Sequence, residues 1–112
     1  MESNLSRLEE TFLKMKSNGF DTKKPLKWSF YFIDKVKAKL ENVYLELKDY
    51  SYSVDEFRKT EDDYWQLKVS KTEVLIPDKL HRRNTAFNEL ADHYLIELYD
   101  GWDVEKPENL LE

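Results

Sequence analysis

Trp28, Phe30 and Phe32 alternate with Lys27, Ser29 and Tyr31. Large aromatics at a strict period of two mark a strand with one buried face. This run, residues 26–33, is the clearest strand in the chain, and its aromatic face needs helices packed on it. The fold is therefore a layered one with a sheet.

The remaining elements follow from spacing. Leu5, Leu8, Phe12 and Met15 recur at helical intervals over residues 4–18,. Asn4 is placed to cap that helix, and Gly19 to close it in the C′ position,. After the 26–33 strand, Asp34 stands where an N-cap belongs, and Val36, Leu40, Val43 and Leu47 form the stripe of a second helix,. A short strand is expected over 50–57, with Tyr52 and Val54 on one side. A turn follows over 58–63. A third strand covers 64–74, with Trp65, Leu67 and Val69 on one face and Gln66, Lys68 and Ser70 on the other,. Pro77-Asp78 opens a third helix to about Tyr94, its stripe Leu80, Phe87, Leu90 and Ala91,.

The last strand is read at 95–99, with Ile96 and Leu98 on one face and Glu97 and Tyr99 on the other. Asp100-Gly101 then supplies a tight turn that throws Trp102 back against the sheet,. After the first helix the order is strand–helix–strand–strand–helix–strand. This is an α+β chain with the ferredoxin-like βαββαβ antiparallel sheet and an extra N-terminal helix. Both crossover helices are expected on one face of the sheet. The other face is open or covered by the first helix. The 112 residues make one domain, in which 1–25 are the N-terminal helix and loop and 107–112 a short polar tail,.

Several function classes lose their footing here. There is no cysteine, so neither a disulfide framework nor a thiolate metal site can form,. His81 and His93 are not on adjacent turns of their helix, and no metal site or cofactor is expected,. Gly19 and Gly101 are the only glycines, which leaves no glycine-rich phosphate loop,. No serine sits in a Gly-x-Ser-x-Gly elbow,. The acidic pairs Asp55-Glu56 and Glu61-Asp62-Asp63 fall in a hairpin region rather than a concave pocket,. The chain is read as no enzyme. Its polar N-terminus and lack of a long apolar run place it in the cytoplasm,.

Charge is uneven under a net −5. Between Lys14 and Lys39 eight lysines meet only Asp21 and Asp34, whereas from Glu89 onward eight carboxylates meet only Lys106. Such a distribution is either a solvated surface or a bipolar one that steers a protein partner. An RNA-binding sheet would use the same strand order, and Tyr31 and Tyr64 could be its stacking rings. The Gly-aromatic-Gly-aromatic pattern on the third strand is missing, and the net charge is acidic,. Direct nucleic-acid contact is therefore the alternative, together with a small-molecule sensor domain.

Four features carry a family resemblance. They are the helix ending in Asn18-Gly19-Phe20-Asp21, the strand Tyr52-Ser53-Val54 after the second helix, Leu75-Ile76-Pro77 before the third helix, and the close Tyr99-Asp100-Gly101-Trp102. In these the chain resembles the regulator of ribonuclease activity B family, protein inhibitors of ribonuclease E. The resemblance implies a ferredoxin-like fold and a non-enzymatic regulatory protein. It also implies binding to the scaffold portion of a ribonuclease, with an effect on RNA turnover. The chain departs from the family in lacking a long acidic C-terminal tail and in its basic N-terminal half. Basic scaffold segments imply an acidic contact face, so Asp100, Trp102, Asp103, Glu105 and Glu108 are the expected partner-binding residues. Trp102 is alternatively a structural clamp on the sheet end. Oligomeric state stays open.

Overall fold

The computed structural model describes residues 2–105. The protein is α+β, with α1 (Leu5–Ser17), β1 (Leu26–Asp34), α2 (Lys37–Lys48), β2 (Ser53–Lys59), β3 (Trp65–Glu73), α3 (Pro77–His93) and β4 (Leu98–Glu105). The four strands form one antiparallel sheet in the order β2-β3-β1-β4. That order and the leading helix are consistent with the expected arrangement.

The aromatic face of β1 carries the core. Trp28, Phe30 and Phe32 are fully buried. Phe87 of α3 sits over Phe30 and Phe32 with ring centroids 5.0 and 5.5 Å apart, and Tyr99 of β4 closes on Phe32 at 5.1 Å. Each such ring contributes about 1.5–3 kcal/mol by leaving water. Phe12 of α1 stacks on Trp28 at 5.7 Å. α1 therefore joins α2 and α3 on the same face of the sheet, beside α3, and leaves the other face open.

Two polar devices tie the layers together inside this apolar setting. The Arg83 guanidinium makes a two-pronged pair with the Glu73 carboxylate at 2.7 and 3.0 Å, fixing α3 to the end of β3,. The Trp28 indole donates to the Glu73 carbonyl at 3.0 Å. Deeper, the Tyr99 hydroxyl donates to Asn84 Oδ1 at 2.6 Å, and both residues are buried. Among the described residues Asn84 Nδ2 has no hydrogen-bond partner.

All three helices end in the same way. Just past each helix a backbone N–H bonds back to the carbonyl five residues earlier, and the residue before that N–H sits at positive φ. These are Phe20 after Gly19, Tyr52 after Ser51, and Ile96 after Leu95,. Gly19 suits that role, whereas Ser51 at φ 72° and Leu95 at φ 57° adopt it without a glycine,.

Several boundaries differ from expectation for local reasons. Asp34 does not cap α2. It closes β1, and its buried carboxylate accepts from the Val36 N–H at 2.7 Å and the Glu97 N–H at 2.8 Å. It thus pins the turn after β1 to the approach to β4. Val36 is exposed rather than part of the α2 stripe. Tyr52 precedes β2, and Val54, paired with the buried Val69, is partly exposed at the sheet edge.

The largest correction concerns β4. The expected strand at 95–99 runs instead from Leu98 to Glu105, and Asp100-Gly101 is no turn. Tyr99 pairs with Phe32 and Gly101 with Tyr31, so Asp100 is an inserted residue, a β-bulge,. Gly101 at φ 95° makes it possible,. The faces are reversed with it: Tyr99 is in the core and Leu98 is exposed. β2 holds a second bulge, where Val54 pairs with Val69 and Glu56 with Lys68, leaving Asp55 inserted.

Candidate functional site

The expected partner-binding residues lie on β4, but the strand divides them between its two faces. Asp100 projects from the bulge and is exposed. Asp103 and Glu105 are exposed on the open side of the sheet. Trp102 points the opposite way. It is half-buried against Trp28 at 5.7 Å, in the layer where Phe12 stacks. Asp103 and Glu105 share the open face, and the tryptophan is on the opposite face from them. Glu108 lies outside the described residues.

On the open face the β4 carboxylates join a charged lattice. The Tyr31 hydroxyl donates to Asp103 at 2.7 Å. Burial, then that bond and the Asp103 charge, push the Tyr31 phenol well above its ordinary range,. Lys27 lies 2.9 Å from Asp55 and 3.9 Å from Glu105. Asp55 also accepts from the Ser70 hydroxyl at 2.9 Å. The Lys68 ammonium stands over the Tyr31 ring at 5.8 Å,. Glu56 pairs with Arg58 at 3.1 Å. Beneath this layer Ser29 Oγ is buried with no hydrogen-bond partner among the described residues.

Asp55 and Glu56 are open-face residues that the sequence pattern placed elsewhere, as hairpin solvation. They sit within β2, and Asp55 reaches the open face because it is the bulge residue. A bulge leaves no hydrophobic signature, so only an unpaired polar residue in a strand could have hinted at it. Glu61-Asp62-Asp63 do lie in the connection between β2 and β3. Tyr64 also lies outside β3, so the two rings considered for base stacking are not both within strands of the open face.

The lattice can hold charged and hydrogen-bonding groups of a partner. His81 Nδ1 lies 2.8 Å from Ser3 Oγ, and His93 packs edge-on to Tyr94 at 4.8 Å. Among the described residues no group of three or more His, Asp or Glu side chains is placed to hold a metal ion. No helix among them is long and apolar enough to cross a membrane.

Among the described residues the helix side includes two open apolar grooves. One, of about 510 Å³, lies between α2 and α3, with Tyr50, Tyr52 and Leu90 in its lining. The other, of about 590 Å³, lies between α1 and the β3–α3 connection, where Leu13, Val74 and Ile76 meet.

The family model for regulator of ribonuclease activity B matches residues 7–104, which includes every described strand but the last residue of β4. No curated protein matches the chain.

Proposed function

The chain belongs to the regulator of ribonuclease activity B family, and from that membership we propose that it regulates a ribonuclease by binding a protein partner, with no reaction of its own. The observation that carries the reading is the match across 7–104, nearly the whole chain. The sheet order β2-β3-β1-β4 supports the finer reading of the fold as ferredoxin-like,. The setting is the cytoplasm, where RNA is turned over.

We place the contact on the open-face end of β4. Asp100, Asp103 and Glu105 project to solvent there, and Glu108 follows in the chain. Their partner is a basic segment of the ribonuclease or its scaffold. Rim carboxylates of this kind act chiefly by raising the association rate, an effect that salt screens. Trp102 packs on Trp28 and contributes by holding β4 in place.

The experiment pairs the purified protein with the ribonuclease and follows cleavage of a fluorogenic RNA together with stopped-flow association. The protein alone leaves the RNA intact, alters its turnover by the ribonuclease, and binds the enzyme faster at low salt. Asn and Gln replacements at Asp100, Asp103 and Glu105 slow association and leave the thermal transition in place. An unchanged cleavage rate with no association overturns the reading. Slowing by neutralisation of Lys35 and Lys37 instead of the carboxylates overturns the placement of the contact.

A further inference from the structure

The groove between α1 and the β3–α3 connection has no part in that contact. Its walls expose apolar side chains that a lone soluble domain has reason to cover: Leu13 is 65% exposed, Ile76 50% and Val74 40%,. They converge from two separate elements. α1 bears Leu13 on the side turned from its buried Leu8–Phe12–Met15 stripe, and Val74 and Ile76 flank the buried Leu75 just before α3.

The rim is positive. Lys16 and Lys23 line the groove, opposed only by Glu9, and among the described residues neither lysine is drawn into an ion pair. The sign is opposite to that of the exposed β4 carboxylates. One groove wall is the last two turns of α1, from Glu9 to Lys16, a shape suited to an amphipathic helix lying alongside it,.

We propose that this groove binds an acidic amphipathic segment of a second protein partner, leucine-like side chains entering between Leu13, Val74 and Ile76 and carboxylates meeting Lys16 and Lys23. The site is independent of the β4 contact in position and in charge, so the protein would join two chains of opposite character.

The probe is a fluorescein-labelled helical peptide with leucines at i, i+3 and i+7 and glutamates elsewhere, titrated with the full chain. Its anisotropy is expected to rise and saturate. Leu13→Glu, and separately Lys16→Glu with Lys23→Glu, weaken binding by about tenfold or more. The thermal transition persists, because these side chains are exposed. Ile76→Ser gives a second check: serine at the start of α3 supplies the side-chain cap that Ile76 lacks, so the fold is kept while an apolar wall is lost,. A peptide with lysines in place of the glutamates binds more weakly. Absence of binding, equal affinity for both peptides, or indifference to Leu13→Glu overturns the proposal. So does a concentration-dependent rise in mass that Leu13→Glu abolishes, which would make the occupant a second copy of this chain. None of these outcomes bears on the ribonuclease assay, so the two readings fail separately.

Discussion

Replacing Tyr99 with phenylalanine removes a fully buried side-chain hydrogen bond linking α3 to the sheet. The hydroxyl donates to Asn84 Oδ1 at 2.6 Å, with Tyr99 at 1% and Asn84 at 0% exposure. Tyr99→Phe keeps the ring in its place beside Phe32 and Phe87, so little packing changes. What it leaves is an amide with Oδ1 newly unsatisfied and Nδ2 already without a partner among the described residues. A buried acceptor stripped of its donor costs about 1–3 kcal/mol. An amide unsatisfied at both ends belongs in the upper half of that range, about 2–3 kcal/mol. Unfolding entropy near 2.1 cal/mol/K per residue gives a chain this size about 0.24 kcal/mol/K, so the midpoint falls by roughly 8–12 °C. The assay is urea and thermal unfolding of Tyr99→Phe, Asn84→Leu and the double variant. The double variant removes both polar groups, and the cycle should show a coupling of about 1–2 kcal/mol. A Tyr99→Phe protein as stable as the parent, or a strictly additive cycle, refutes the reasoning.

Asp34→Ala strips two backbone N–H groups of a buried carboxylate partner. It should cost about 2–4 kcal/mol in urea unfolding, and Asp34→Asn, with a single acceptor oxygen, should fall between. Leu95→Gly relieves a left-handed residue at φ 57° that is 73% exposed. The relief of about 1–2 kcal/mol is offset by glycine's looser unfolded chain, for a net gain of up to about 1 kcal/mol by thermal unfolding. At alkaline pH, burial holds Tyr99 and Tyr31 protonated well past their ordinary range and pushes Tyr52 up to about 12. Above about pH 10 the folded chain thus binds more protons than the unfolded one. Stability is full below that pH and falls as pH rises through it, with tyrosinate absorbance lagging for these three rings.

The readable parts of this fold were those where one residue pattern meets one physical outcome. The alternation of Trp28, Phe30 and Phe32 can only be a strand with a buried face, and β1 lies where it was expected. Asn4 and Gly19 bracket α1 as their chemistry requires. β4 was misread because a turn and a bulge ask for the same residues: a small polar one and a glycine at positive φ. Choosing the turn inverted the parity of the strand, which put Leu98 inside and Tyr99 outside. Helix ends at Ser51 and Leu95 carried no glycine to announce them. Asn84 was hidden because a polar residue in an apolar stripe looks like an interruption until its partner on β4 is seen. The candidate site suffered from the same bulge. Asp100, Asp103 and Glu105 all lie on β4, but a neighbouring position on the strand sends Trp102 to the other face.

The two bulges have a consequence for how this sheet meets other molecules. Asp55 and Asp100 are the inserted residues of β2 and β4, and those are the two outermost strands. An outermost strand is a ready template for another chain's backbone unless a kink and a charge spoil its register. Here both margins carry both. Strand donation from a neighbour is discouraged at either end, which disfavours edge-to-edge polymerisation at high concentration. The same devices favour recognition by side chains on the faces, where identity and charge are tested, over the sequence-blind hydrogen bonds of a shared sheet.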